Sequence, residues 1–313
     1  MESTVNTEVE DVFEENELID DSVPIREISR VTGVNTVTLR AWERRYGLLI
    51  PQRTTKGHRL YSRADIERVK EIQLWLGRGL AISKVKALLA DEQRGNEIPA
   101  IDSIWIQLAQ QIQAAITAFN RNQLERLIED TFALYPVEMI ADFLLAPLLQ
   151  ELQGDEPGKP ARRAFFNTVI QEYIHASQSR QRQAARGEKI LVLAVSEGEG
   201  QILSHVLNYG LLVNQHRAEF LGYLPVKESL LCAEAMGAEI VVIPGGDTIA
   251  AGELQLHLTL WRERLAIPVV LSGNAARLFR ALHFEPTTGI YLCDSQQQVL
   301  AMVNQILTDE SSL

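Results

Sequence analysis

The chain has 313 residues, 46% of them hydrophobic, and a formal net charge of −11. Its length allows two or three domains, and no apolar run approaches the roughly 18 residues of a membrane span. The acidic N-terminus is the opposite of a signal peptide. Cys232 and Cys293 lie far apart in apolar segments, which favours buried reduced thiols over a disulfide. We therefore expect a cytoplasmic protein without membrane contact.

Residues 1–22 form an acidic segment with nine acidic residues and no Lys or Arg. Because the segment has little apolar surface to bury, we predict a disordered tail. An alternative is that the tail mimics the charge of DNA and competes for the basic segment beside it.

Residues 23–89 are a basic island in this acidic chain, with 14 Lys or Arg and 5 Asp or Glu, a local charge of +9. A polyanion is the simplest partner for such a concentration of charge, and nucleic acid is the first to consider. We place a domain at 23–90 on this basis.

Helical periodicity organises the first part of this island. Ile25, Ile28 and Val31 predict a short helix that ends at Gly33. Asn35 or Thr36 can cap a second helix running to about residue 46. The second helix has a predicted core face, made of Leu39, Trp42 and Tyr46. It also has a predicted polyanion-facing surface, made of Thr36, Arg40 and Arg44.

Pro51 forces an extended exit from the second helix, and residues 53–61 read as a two-stranded wing that turns at Gly57. A third helix starts near residue 63, with a predicted buried side that includes Ile66, Val69, Ile72, Leu74, Trp75 and Leu76. A fourth helix at 82–89 closes the domain.

The rest of the chain divides into a linker, a helical region and an α/β region. The polar segment 91–99 is the predicted linker. Residues 100–186 predict a four-helix bundle, with helices at 101–119, 123–134, 136–152 and 159–185. Residues 187–313 alternate strands and helices, which predicts a doubly wound parallel five-stranded sheet. Its predicted strands are 190–196, 218–224, 239–244, 268–272 and 289–293, and its helices are 201–213, 227–236, 253–265, 275–282 and 296–308.

The basic island resembles the DNA-binding domain of MerR-family transcription regulators. Three blocks carry the resemblance: TLRAWE at 38–43, GLL before Pro51, and GHRLY at 57–61. The resemblance covers about 70 residues and implies a winged helix-turn-helix. The residues that it and their chemistry assign to DNA binding are Thr36, Thr38, Arg40, Arg44, Arg45, Arg53, Lys56, His58, Arg59 and Tyr61. Trp42 and Tyr61 also suit a core position.

The whole architecture resembles light-sensing, cobalamin-dependent repressors of the CarH and LitR type, in which a histidine of D-x-H-x-x-G holds the cobalt. Here Glu197 stands at the Asp position, Glu199 at the His position and Ile202 at the Gly position. A carboxylate replaces imidazole poorly on cobalt. The bundle's W-x9-E-H signature is also absent. We therefore expect no cobalamin and no other cofactor. These features are similar to the MlrA subgroup, whose cobalamin-type domain is degenerate.

Small residues at predicted strand ends could line a ligand pocket at the carboxyl edge of the sheet. They are Glu197, Gly198, Glu199, Gly200, Gly245, Gly246, Ser272 and Gly273. Gly and Ser are equally ordinary turn residues, so an inert scaffold or a protein-binding surface stays open. Residues 198–203 lack the third glycine of a dinucleotide-binding loop, and the last predicted strand is not followed by the lysine that a phosphoreceiver domain needs. The histidines are not spaced as metal ligands. We expect no metal site and no catalytic residues.

The sequence thus predicts a regulator that binds promoter operator DNA as a homodimer, since such heads read paired half-sites. Two alternatives from other classes stay open. One is a signalling adaptor whose C-terminal domain docks partner proteins, or binds a small ligand other than cobalamin, to gate the head. The other is an enzyme on the α/β domain that depends on Glu199 or Asp247.

Overall fold

The computed structural model describes residues 22–90, 103–194, 201–245, 251–264, 266–282 and 289–310. Residues 1–21 of the predicted tail and the predicted linker lie outside these ranges. The chain divides into two compact units, Met1–Ser103 and Ile104–Leu313. The second unit contains both the helical region and the parallel sheet.

The first unit is built from short helices around a small antiparallel sheet. Its elements are β1 (Val23–Pro24), α1 (Ile25–Thr32), α2 (Thr36–Ala41), β2 (Gln52–Arg53), β3 (Arg59–Tyr61), α3 (Arg63–Gly77) and α4 (Ile82–Leu89). A π-helical segment, Trp42–Tyr46, continues directly from α2. The central strand is β3, which pairs antiparallel with both β1 and β2.

Local signals set where these helices start and stop. Gly33 ends α1 with a φ of 73°, in the left-handed region that favours glycine. Asn35 then caps α2, because its side-chain oxygen accepts a hydrogen bond from the Thr38 amide at 2.7 Å. Ser62 and Asp65 form a reciprocal capping box at the start of α3. The turn between α1 and α2 is thus fixed by a glycine and a cap two residues later.

The core of the first unit includes Ile28, Leu39, Trp42, Val69 and Ile72, all fully buried. Two predicted core residues differ. The structure leaves Val31 44% exposed and Leu74 52% exposed, because α1 buries Ile28, Ser29 and Thr32, and α3 buries Val69, Ile72, Trp75 and Leu76. Apolar spacing predicted both helices correctly, but it placed Val31 and Leu74 on the buried faces, where the structure has their neighbours Thr32 and Trp75.

The second unit begins with helices that precede a parallel sheet. The helices are α5 (Ile104–Thr117), α6 (Arg121–Leu134), α7 (Val137–Met139), α8 (Ala146–Glu151) and α9 (Lys159–Ala184). A π-helical segment, Ile140–Leu145, joins α7 to α8, so 137–151 is one continuous helical stretch.

The sheet of the second unit has five strands: β4 (Lys189–Ala194), β5 (Arg217–Tyr223), β6 (Ile240–Ile243), β7 (Val269–Ser272) and β8 (Ile290–Cys293). Their order is β5-β4-β6-β7-β8, and every pair is parallel, as predicted. The helices are α10 (Gln201–Val213), α11 (Val226–Met236), α12 (Ala251–Arg264), α13 (Gly273–Ala281) and α14 (Gln296–Glu310).

Alternating strand residues fill a core on each face of this sheet. Ile190 and Val192 pack with residues of α10 and α14, whereas Leu191 and Leu193 pack with residues of α11, α12 and α13. Burial on both faces explains the continuous apolar runs that the strands show in sequence. The connection from β5 to β6 passes over β4, so the strand order reverses its direction between β4 and β6. At such a switch point the carboxyl ends of the strands leave a crevice.

Candidate nucleic-acid interface

The outward face of α2 and its π-helical continuation carries unpaired positive charge. Arg40, Arg44 and Arg45 are exposed, and Thr36 is partly exposed beside them. Among the described residues, none of these three guanidinium groups pairs with a carboxylate. Leu39 and Trp42 are fully buried on the opposite side and fix the rotation of the helix. Arg40 on α2, and Arg44 and Arg45 on its π-helical continuation, are therefore free cations at the surface of the first unit.

Two predicted DNA-binding residues are core residues instead. Thr38 and Tyr61 are both fully buried, and their hydroxyl groups have no hydrogen-bond partner among the described atoms. Burial is the main cause that raises the pKa of Tyr61 to about 12, and the nearby carboxylate of Glu43 adds to it. The side chains of Thr38 and Tyr61 thus belong to the packing beneath the surface, because the capped turn at Asn35 directs position 38 inwards.

Glu43 links the π-helical continuation of α2 to strands β2 and β3, a contact that the sequence motifs did not predict. Its carboxylate accepts hydrogen bonds from Arg59 Nε at 2.5 Å and from Arg53 Nη2 at 3.2 Å. The side chains of Glu43 and Arg59 are only 14% and 21% exposed. The Glu43 hydrogen bond raises the pKa of Arg59 further above its usual range. Two predicted DNA-binding cations, Arg53 and Arg59, are therefore already paired within the protein.

The hairpin between β2 and β3 exposes further predicted residues. Gly57 has a φ of 81°, and its amide donates to the Thr54 carbonyl at 2.8 Å. The Thr54 hydroxyl accepts from the His58 amide at 3.0 Å. Lys56 and His58 are exposed at this turn. A tight turn with a glycine at the left-handed position holds Lys56 and His58 at the hairpin tip.

Some exposed cations elsewhere in the first unit form ion pairs with carboxylates. Arg30 pairs with Glu27 on α1, and Lys70 pairs with Glu67 on α3. Among the predicted DNA-binding residues, the cations without a carboxylate partner in the described part of the chain therefore lie on α2, its π-helical continuation and the hairpin tip. Such a surface can accept phosphate oxygens and, through forked guanidinium groups, guanine edges.

The second unit contains a separate cleft of about 480 Å³, within the size range of small-molecule sites. It lies between the helical stretch 137–151 with α9 and the carboxyl ends of β6 and β7. Its lining residues include three of the predicted pocket residues: Gly245, Ser272 and Gly273. The other predicted pocket residues, Glu197, Gly198, Glu199, Gly200 and Gly246, lie outside the described residues.

The chemistry of this cleft is polar and only partly charged. Its lining includes Asn167, Arg163 and Arg277, together with Asp142 and Asp294. Asp142 accepts hydrogen bonds from the amides of Gln296 and Gln297 at 2.9 and 3.1 Å, and burial raises its pKa. A Cβ on Gly245 would lie 2.1 Å from the amide nitrogen of Asn274, so this close approach requires glycine.

The described part of the cleft does not fit a histidine-ligated cobalamin. None of its lining residues is a histidine. His205 follows the predicted ligand loop, but its ring packs edge-on against His175 and Phe220 at 4.8 Å. Burial, with His175 and Arg182 nearby, lowers the pKa of His205 to about 4. Among the described residues, no group of three or more His, Cys, Asp or Glu side chains could hold a metal ion, and no helix is long and apolar enough to cross a membrane.

Residues 23–92 match the MerR HTH family regulatory proteins. The chain is 37% identical over 150 residues to the HTH-type transcriptional regulator MlrA of Escherichia coli, a match covering 48% of this chain and 60% of MlrA. It is 27% identical over 295 residues to the HTH-type transcriptional repressor CarA of Myxococcus xanthus, covering 90% and 96% of the two chains. The CarH repressor of the same organism is also 27% identical, over 285 residues.

Among solved structures, the monomethylamine corrinoid protein of Methanosarcina barkeri is similar with a TM-score of 0.46 and 13% identity, over 64% of this chain and 99% of that one. The match to MlrA thus spans 60% of that relative's length, whereas the match to CarA spans almost all of both chains. Residues 23–92 thus carry a MerR-type HTH domain, and the chain is similar to MlrA over about half of its length and to CarA and CarH over most of it.

Proposed function

We propose that this chain is a sequence-specific DNA-binding transcription regulator. The observation that carries the proposal is the set of unpaired cations on α2, its π-helical continuation and the hairpin tip, in a chain whose net charge is otherwise acidic. Sequence similarity to proteins named as transcriptional regulators and repressors supports the same function.

In this proposal the first unit acts as a winged helix-turn-helix. Helix α2 and its π-helical continuation enter the major groove, where Thr36, Arg40 and Arg44 meet base edges and phosphates. The hairpin between β2 and β3 is the wing, and Lys56 and His58 contact the phosphate backbone from its tip. Arg53 and Arg59 hold Glu43 and thereby set the angle between helix and wing, so their contribution to DNA binding is mainly one of positioning.

The proposed regulator acts as a cytoplasmic homodimer, because helix-turn-helix heads read two half-sites of a near-palindromic operator. The four-helix bundle and the sheet domain serve as a regulatory region rather than an enzyme. Similarity along almost the whole of CarA supports this division, since that relative is named as a repressor.

Selection from a random duplex library with the full-length chain tests the proposal. Recovery of a common sequence motif is the expected result. Affinity for that motif should fall steeply between low and physiological salt, because each neutralised phosphate releases counterions. An affinity that stays flat across this range, or a library that yields no motif, would contradict the proposal.

We also propose that the second unit senses a small molecule other than cobalamin in the cleft near Gly245, Ser272 and Gly273. Its volume and its polar lining favour this over an inert scaffold. A thermal-shift screen of metabolites and nucleotides tests it: stabilisation lost in Ser272→Val and Asn167→Leu variants would support a site in the cleft. Stabilisation by none of the compounds would favour the alternative of a protein-docking surface.

A further inference from the structure

The outward face of α2 carries one apolar side chain beside its cations. Val37 is 52% exposed, whereas the next two residues, Thr38 and Leu39, are fully buried. Successive helix residues are about 100° apart, so Val37 lies only about 60° around the helix from Arg40. Val37 therefore shares the face of Arg40 at the N-terminal turn of α2.

Helix stability does not account for a valine at this position. A β-branched side chain is a weaker helix former than straight-chain residues, and its exposed half gains nothing from burial. Its χ1 rotamer is, however, nearly fixed in a helix. An exposed, stiff, apolar side chain is well prepared to contact another apolar group at little cost in side-chain entropy.

We propose that Val37 reads thymine by packing against its C5-methyl group, an inference that rests on the proposed DNA-binding function. Among the four bases, thymine alone presents a methyl group in the major groove. The N-terminal residues of a recognition helix are the ones that meet base edges. Val37 is thus a specificity-determining residue that the charge pattern of the sequence does not reveal.

The position of Arg40 narrows where this thymine lies. Helix residues three apart have Cβ atoms about 5–6 Å apart, and stacked bases on one strand are about 3.4 Å apart. The thymine read by Val37 should therefore lie within about two base pairs of the guanine or phosphate that Arg40 contacts. Arg40 contributes affinity there, and Val37 discriminates thymine from cytosine.

Single-atom-group substitution in the DNA tests this reading. The full-length chain is first used to select its operator, and each thymine is then replaced in turn by deoxyuridine, which removes only the methyl group. At one thymine of the half-site, the wild-type chain should lose about 3- to 5-fold in affinity, the effect of removing one buried methyl group. The Val37→Ala variant should lose less than 2-fold at that same thymine.

A matched control variant accompanies this test, and its outcomes distinguish failure of the DNA-binding function from failure of the role of Val37. Val31→Ala changes another valine, 44% exposed on α1, and should keep the full wild-type response to deoxyuridine. If no operator is selected at all, the DNA-binding function itself fails. If the operator binds but no thymine responds, or if Val37→Ala responds as strongly as the wild type, the function stands and the reading role of Val37 is overturned. Circular dichroism of Val37→Ala checks that α2 still folds.

Discussion

The two units of this chain hold their charge in opposite ways. Residues 23–89 carry a net charge of +9, and the cations on the outward face of α2 have no carboxylate partner among the described residues. Residues 104–313 carry 15 Lys or Arg and 23 Asp or Glu. There Arg121, Arg182 and Arg280 are each paired with carboxylates. Affinity for a polyanion should therefore reside in the first unit, and the second unit can change its stability or its ligand without adding to that affinity.

The largest expected effect comes from removing free charge from α2 and its π-helical continuation. Arg40→Ala together with Arg44→Ala should weaken operator binding by about 100-fold or more, since each specific guanidinium contact contributes about 1–3 kcal/mol. Fluorescence anisotropy with labelled operator measures it, and the salt dependence should also become shallower. The control removes two exposed cations of the second unit, with Lys227→Ala and Arg264→Ala. An equal loss in the control would mean that total charge, and not its place, governs binding.

Stability of the second unit should depend on pH through a buried acid in α7. Glu138 is 4% exposed, and burial raises its pKa from 4.5 to about 8. Between pH 4.5 and about 8, the folded state thus keeps a proton that the unfolded chain releases. The favourable contribution of this residue to folding is therefore fully present below pH 4.5. That contribution is lost progressively as the pH rises to about 8. Glu138→Gln should therefore raise the free energy of unfolding by about 2 kcal/mol at pH 8 and leave it nearly unchanged at pH 4.5.

Urea denaturation at the two pH values measures the Glu138 effect, with the exposed Glu228→Gln as its control. Operator affinity should stay the same, because Glu138 lies in the second unit. A gain that is equal at both pH values would show that the carboxyl group is not buried as a proton-binding site.

The helical stretch 137–151 and the sheet region are joined by a carboxylate cap. Asp142→Ala removes the acceptor for the Gln296 and Gln297 amides at the start of α14, and should cost about 1–2 kcal/mol of stability. Asp142→Asn keeps an acceptor oxygen and should recover part of the loss. Thermal unfolding of the two variants distinguishes them, and equal losses would argue that the cap does not contribute.

The smallest expected effect concerns the contact between α2's π-helical continuation and the hairpin. A double-mutant cycle of Glu43→Gln and Arg59→Gln should give a coupling energy of about 1 kcal/mol, because both side chains are mostly buried. The exposed pair Glu27 and Arg30 is the control and should couple by less than about 0.5 kcal/mol. Equal coupling in both pairs would mean that Glu43 does not position the hairpin.

Much of the fold followed from periodicity and turn chemistry. The helix at 201–213 was predicted at its observed bounds, and the strand ending at Cys293 was predicted one residue longer. These segments are apolar on both faces or on one clear stripe, so burial leaves few alternatives. Val31 shows the opposite case, since a short helix does not specify which edge of its apolar stripe meets the core.

The candidate interface was predictable in part. Arg40, Arg44 and Lys56 were identified by charge and spacing, and the structure leaves them exposed. Charge alone could not tell these free cations from Arg53 and Arg59, which pair with Glu43 ten and sixteen residues earlier in the chain. The exposure of Val37 was not predicted, because a valine in a helix is more often buried than exposed.

The sequence by itself determined the helix-turn-helix class of the head and the parallel arrangement of the C-terminal strands. These properties depend on local residue type and on spacing along the chain. Only the tertiary structure decided which cations are free, that Thr38 and Tyr61 are buried while Val37 is exposed, and that Gly245, Ser272 and Gly273 line one cleft. Those properties depend on which distant side chains meet, and contacts across many residues leave no regular signal in the order of a single sequence.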